Sequence, residues 1–130
     1  MHLPAELIQD ILRGELTALV WTTYDSDTEE YIPADTSISP ELIAKLTDEL
    51  SAPLDNTHYI DIMQYLDRIN PTDGDTPAAW LGHDLALTRN HHGAGFWDRN
   101  LGELGTSLTQ WAHTFPELDT YLGDDNHLHA

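Results

Sequence analysis

Gly82-His83-Asp84-Leu85-Ala86-Leu87-Thr88-Arg89-Asn90-His91-His92-Gly93-Ala94-Gly95-Phe96-Trp97-Asp98-Arg99 is the stretch whose reading decides the fold. Leu85 and Leu87 alternate around Ala86, the period of a strand. Gly93 and Gly95 bracket Ala94 as a turn, where a positive φ or a close backbone approach calls for glycine. Phe96-Trp97 then follows. The pattern predicts strand, turn, strand: a β-hairpin over Asp84 to Asp98. Phe96 and Trp97 fall on opposite faces, so one of them belongs to the core. Arg89 and Arg99 are expected to pair with Asp84 and Asp98.

On the C-terminal side, Leu101, Leu104, Leu108, Trp111 and Ala112 mark one face of a helix over Leu101 to Phe115, stopped by Pro116. Leu118 to Leu122 reads as a strand. Gly123-Asp124-Asp125-Asn126 is a turn, and His127 to Ala130 returns as a short strand. On the N-terminal side, Leu7, Ile8, Ile11, Leu12, Leu16 and Leu19 line one face of a helix from Pro4 to about Trp21. Gly14 weakens the middle of that helix by about 1 kcal/mol relative to alanine. Ser39-Pro40-Glu41 is a helix start, with Ser39 as cap and Pro40 in the first turn. That helix buries Leu42, Ile43, Leu46 and Leu50 and ends at Pro53. A third helix is expected over Thr57 to Ile69. Asn70 to Pro77, with two prolines, Gly74 and two aspartates, reads as a linker. The expected fold is α+β in one domain, residues 1–130. A helical acidic half, about 1–70, precedes a ββαβ half, about 78–130, in which the hairpin, one helix and a C-terminal strand make a small antiparallel sheet.

Charge bounds the function. The 130 residues carry 23 Asp plus Glu against 5 Lys plus Arg, a formal net charge of −18. Such a field repels nucleic acid and anionic membrane and attracts basic surfaces. It also serves solubility alone. There is no cysteine, which excludes disulfides, thiolate metal sites and a cysteine nucleophile. The N-terminal Met-His-Leu-Pro-Ala-Glu lacks a basic leader, so a cytoplasmic protein is expected. No P-loop, Gly-x-Ser-x-Gly or dinucleotide fingerprint is present. Asp25-x-Asp27-x-Glu29 begins like a calcium loop, but Glu30 stands where glycine is needed and Thr36 where a bidentate glutamate is needed.

Residues 82–99, the continuation Leu101-Gly102-Glu103-Leu104-Gly105 and the ending Asp119-Thr120-Tyr121-Leu122-Gly123-Asp124-Asp125 resemble a family of small bacteriophage and mobile-element proteins. That family carries a GHDFWLTRNGHGAGFWDR pattern, an LG..LG repeat and an LYVGDDG-like ending, and has no assigned activity. Its N-terminal part often holds an ALW run before an acidic stretch, which Ala18-Leu19-Val20-Trp21 and the following loop resemble. Leu85-Ala86 replaces the family's aromatic pair, and His91 stands where Gly is usual. The resemblance implies a phage accessory protein acting in the cytoplasm of a host cell.

Two functional expectations follow. The first is a non-enzymatic acidic protein that binds a host protein with a basic surface, as a DNA mimic inhibiting a nucleic-acid-binding or defence component. It needs no cofactor and makes no direct contact with nucleic acid or membrane. Asp25, Asp27, Glu29, Glu30, Asp35, Glu41, Asp48 and Glu49 are its expected partner-binding residues. The alternative is a metal-binding module or metal-dependent enzyme using His83, Asp84, His91, His92 and Asp98, since imidazole and carboxylate suit zinc, iron or manganese. Both a monomer and a homodimer, built through an edge strand or through the first helix with Trp21, are compatible with the sequence.

Overall fold

The computed structural model describes residues 1–130. In chain order its elements are α1 (Ala5–Thr22), β1 (Tyr24–Asp25), β2 (Glu30–Tyr31), β3 (Ser37–Ile38), α2 (Pro40–Ser51), α3 (Asn56–Arg68), α4 (Pro77–Arg89), α5 (Glu103–Ala112), β4 (Tyr121–Leu122) and β5 (His127–His129). A 3₁₀ turn over Phe96–Asp98 precedes α5. The α+β class holds, and no helix is long and apolar enough to cross a membrane.

The expected hairpin over Asp84 to Asp98 is not a hairpin. Its first half is the C-terminal part of α4. Thr76 caps that helix by accepting from the Ala79 N–H at 3.1 Å, and Pro77 occupies the first turn. Ala78, Ala79, Leu81, Leu85, Ala86 and Leu87 are strong helix formers, and the segment holds no Val or Ile. It lies buried on nearly every side, so no amphipathic period survives to betray the helix, and the Leu85–Leu87 alternation has no structural meaning. Gly95 keeps its expected role. It has φ 149°, and a Cβ there would lie 2.2 Å from Thr88 Oγ1, the atom that accepts the Phe96 N–H. Phe96 is fully buried and Trp97 exposed.

α1 and α4 cross with their backbones in contact. A Cβ on Gly14 would stand 1.8 Å from the Ala79 carbonyl oxygen, and one on Gly82 would stand 1.8 Å from that of Ile11. Gly14 therefore does more than weaken α1: it is half of a reciprocal close approach. Around this crossing Ile11, Leu19, Leu46, Ile62, Leu81, Leu85, Phe96, Leu108, Trp111 and Leu128 join one core, drawn from both halves of the chain.

The strands are short and make two sheets. β1 and β2 form an antiparallel ribbon in which Tyr24 faces Tyr31 and Asp25 faces Glu30. The second sheet has the order β3-β5-β4. Its β4–β5 pair is antiparallel as expected, but β3, from the N-terminal half, adds in parallel to β5, so the sheet is mixed. The acidic stretch Tyr24 to Ser39, expected as a loop, thus supplies three of the five strands.

Candidate functional site

Two buried ion-pair networks account for several of the charged residues singled out in the sequence. In the first, the Arg89 guanidinium donates from Nη1 and Nη2 to both Glu49 oxygens (2.7 and 3.0 Å) and from Nη1 to Glu15 Oε2 at 3.2 Å. Its Nε and Nη2 donate to the Pro116 carbonyl (3.0 and 2.8 Å), and it lies 5.1 Å from the Phe115 ring centroid. Every donor has a partner, which such burial requires. Burial pushes the Glu15 carboxyl up to about 7, with neighbouring Glu49 adding to the effect against the pull of Arg89. In the second network, Asp84 accepts from Tyr65 Oη at 2.6 Å and from Arg99 Nε and Nη2, each at 3.0 Å. Arg99 stacks over Trp80 at 4.4 Å, and Asp84 raises its guanidinium above the ordinary value. Arg99 thus pairs with Asp84 as expected, whereas Arg89 chooses Glu49 and Glu15.

These networks correct two expectations. Glu49 is turned inward and committed to Arg89, so it is not part of a partner-facing surface. Asp84 is fully buried and committed to Tyr65 and Arg99, so its oxygens do not face the histidines. The five residues of the metal alternative are not gathered. His83 leans on Trp21 with ring centroids 5.7 Å apart, and burial lowers its pKa. His91 stacks on His113 at 4.6 Å and approaches Glu117 at 3.3 Å. Asp98 accepts the Gly95 N–H at 3.1 Å. No set of three or more such side chains is placed to hold a metal ion.

The remaining acidic residues do face outward. Asp27, Glu29, Glu30, Asp35, Glu41 and Asp48 are exposed, and none is in an ion pair. Asp25 is half-buried and shapes the β1–β2 turn by accepting the Asp27 N–H at 3.0 Å. Glu41 and Asp48 stand two turns apart on one face of α2, with exposed Lys45 between them.

Beside this acidic ribbon lies a cleft of about 890 Å³, walled by α1, the segment from Tyr31 to Ile38, and the end of α4 with the His92–Ala94 turn. Val20, Ile32, Ile38 and Leu87 give it an apolar floor, and Trp21 and Tyr31 stand at its mouth, 65% and 66% exposed. Tyr24 packs edge-on against Tyr31 at 5.5 Å. The cleft is not legible in the sequence as a cavity. Its one visible signal is the placing of Trp21, Tyr24 and Tyr31 at the two ends of the acidic run, where exposed aromatics are costly in water and common in interfaces.

Comparison with known proteins returned no matching family model, no matching curated protein and no matching solved structure.

Proposed function

We propose that this chain is a non-enzymatic acidic accessory protein that binds a partner protein through that partner's basic surface, as a DNA mimic would. The observation that carries this is the tip of the β1–β2 ribbon. Asp25 and Glu30 are direct cross-strand partners, Asp27 and Glu29 lie in the turn between them, and no Lys, Arg or His pairs with any of the four. Like charges directly opposite each other destabilise a ribbon by roughly 0.2–1 kcal/mol. Glu29 also sits at φ 57°, a left-handed position where Gly or Asn would cost less. Asp25 serves the turn by accepting the Asp27 N–H, but Asp27, Glu29 and Glu30 make no side-chain hydrogen bond or ion pair that folding would use. A basic surface relieves their repulsion, and carboxylates held on a ribbon keep fixed spacings as phosphates do.

Of the five Lys and Arg side chains, Arg13 is paired with Asp10 and Asp75, Arg89 with Glu15 and Glu49, and Arg99 with Asp84, while Lys45 and Arg68 form no ion pair with the ribbon's carboxylates. The resemblance of residues 82–99, 101–105 and 119–125 to phage and mobile-element proteins supports a host protein, met in the host cytoplasm, as the partner, and a mimic that occupies its nucleic-acid-binding surface would inhibit it. The reading calls for no cofactor.

The test is capture from a bacterial lysate on the immobilised protein, eluted first in salt steps and then with duplex DNA. A nucleic-acid-binding protein that DNA releases, and that a variant with Asp27, Glu29, Glu30 and Asp35 changed to Asn or Gln fails to hold, supports the proposal. Capture that survives both salt and DNA, or that the neutralised variant retains, contradicts it.

A further inference from the structure

The carboxylates explain attraction to a basic surface but leave the adjoining cleft without a use. We infer that the cleft between α1, residues 31–38 and the His92–Ala94 turn seats an apolar side chain of the partner, carried on a segment that places Lys or Arg beside it. The inference rests on the acidic-surface proposal and names the partner's recognition element: a basic amphipathic segment, not a uniformly basic one.

Elimination selects an apolar occupant. The cleft is lined by no Asp, Glu, Lys or Arg. Its threonine hydroxyls are already engaged as donors to their own backbone turns, Thr17 to Arg13 O at 2.9 Å, Thr22 to Ala18 O at 2.9 Å, and Thr36 to Pro33 O at 2.6 Å. His83 is half-buried against Trp21, and burial favours its uncharged form. The polar groups left over, Trp21 Nε1, Tyr31 Oη and the exposed His92 ring, belong to exposed residues, so the apolar floor favours an aliphatic or aromatic side chain over a polar or anionic small molecule.

Charge complementarity selects the rest of the occupant. Glu30 immediately precedes Tyr31 at the cleft mouth, and Asp35 lies between the lining residues Ala34 and Thr36. Both are exposed and free of ion pairs, so two unpaired carboxylates adjoin the residues of that wall. A second copy of this chain brings its own −18 charge to the same place and is disfavoured.

The experiment uses two synthetic peptides of equal length and charge, one alternating lysine with leucine and one alternating lysine with serine. Each is titrated calorimetrically into the full chain and into Trp21→Ala and Tyr31→Ala, whose exposed rings leave the core intact when removed. The leucine peptide is expected to bind about tenfold or more tightly than the serine peptide, and each variant to erase most of that advantage. Equal affinities, or an advantage untouched by both variants, overturn the cleft inference and leave the acidic-surface proposal standing. Failure of both peptides to bind at low salt overturns the proposal beneath it as well. Sedimentation velocity without peptide closes the remaining route: a dimer that Trp21→Ala disperses assigns the cleft to a second copy and overturns the inference.

Discussion

Asp25 and Glu30 stand directly opposite each other across the β1–β2 ribbon, two carboxylates in register with no cation between them. A ribbon built only to fold would place opposite charges there. Glu30→Lys supplies one. It is expected to raise stability slightly, by roughly 0.5 kcal/mol, while weakening binding to a basic partner. Thermal denaturation and calorimetric titration of the same variant check the two opposite signs. A variant that loses stability, or that binds the partner as before, speaks against a functional origin of the pair.

The α1–α4 crossing predicts a sharp contrast between glycines. In Gly82→Ala the new methyl would stand 1.8 Å from the Ile11 carbonyl oxygen, so the helices must separate. A loss of about 2 kcal/mol or more in urea unfolding is expected. A Cβ on Gly93, in the turn after α4, meets nothing within 4 Å. Gly93→Ala is expected to stay within about 0.5 kcal/mol of the parent.

The Arg89 network predicts the behaviour of a buried charge deprived of its partner. Arg89→Met leaves Glu15 and Glu49 facing each other with no cation, and should cost about 3–5 kcal/mol. Adding Glu15→Gln removes one of the two carboxylates, so the double variant should be more stable than Arg89→Met alone. Urea unfolding of the single and double variants measures the difference.

Glu15 also predicts a pH dependence. Its carboxyl moves from an ordinary 4.5 to about 7 because it is buried. Between those values the folded chain holds a proton that the unfolded chain has released, so stability falls as pH rises. The contribution is complete below about 4.5 and lost as pH passes about 7. Asp10 and Asp75 have the opposite sign. Asp10 is lowered chiefly by the Thr76 hydroxyl and Asp75 by Arg13, so their contributions are lost only on further acidification. The difference in unfolding free energy between the parent and Glu15→Gln, followed from pH 4.5 to above 7, isolates the Glu15 contribution. A flat difference contradicts the buried-carboxyl assignment.

Much of the fold was legible where an element had both a period and a cap. Ser39-Pro40 opened α2, the Leu101-to-Ala112 stripe marked α5, and the Gly123–Asn126 turn separated β4 from β5 as expected. The failure fell on α4, where burial on nearly all sides removes the helical stripe and leaves only the Thr76-Pro77 cap as a signal. The same limit hid part of the site. The Asp84–Arg99 pair was legible, but the Tyr65 hydroxyl on Asp84 and the Arg89 partner of Glu49 are brought together only by the packing of distant helices. The exposed carboxylates of the ribbon were legible because a dense polar run with turn residues has nowhere to go but outward.

The salt dependence of partner binding tests the acidic surface most directly. With a captured basic partner, the dissociation constant is measured from low to moderate salt for the parent and for the variant neutralised at Asp27, Glu29, Glu30 and Asp35. Binding through these carboxylates predicts affinity that falls steeply with salt in the parent and a clearly shallower fall, from a weaker start, in the variant. Affinity insensitive to salt, or identical salt curves for the two proteins, would contradict an acidic docking surface.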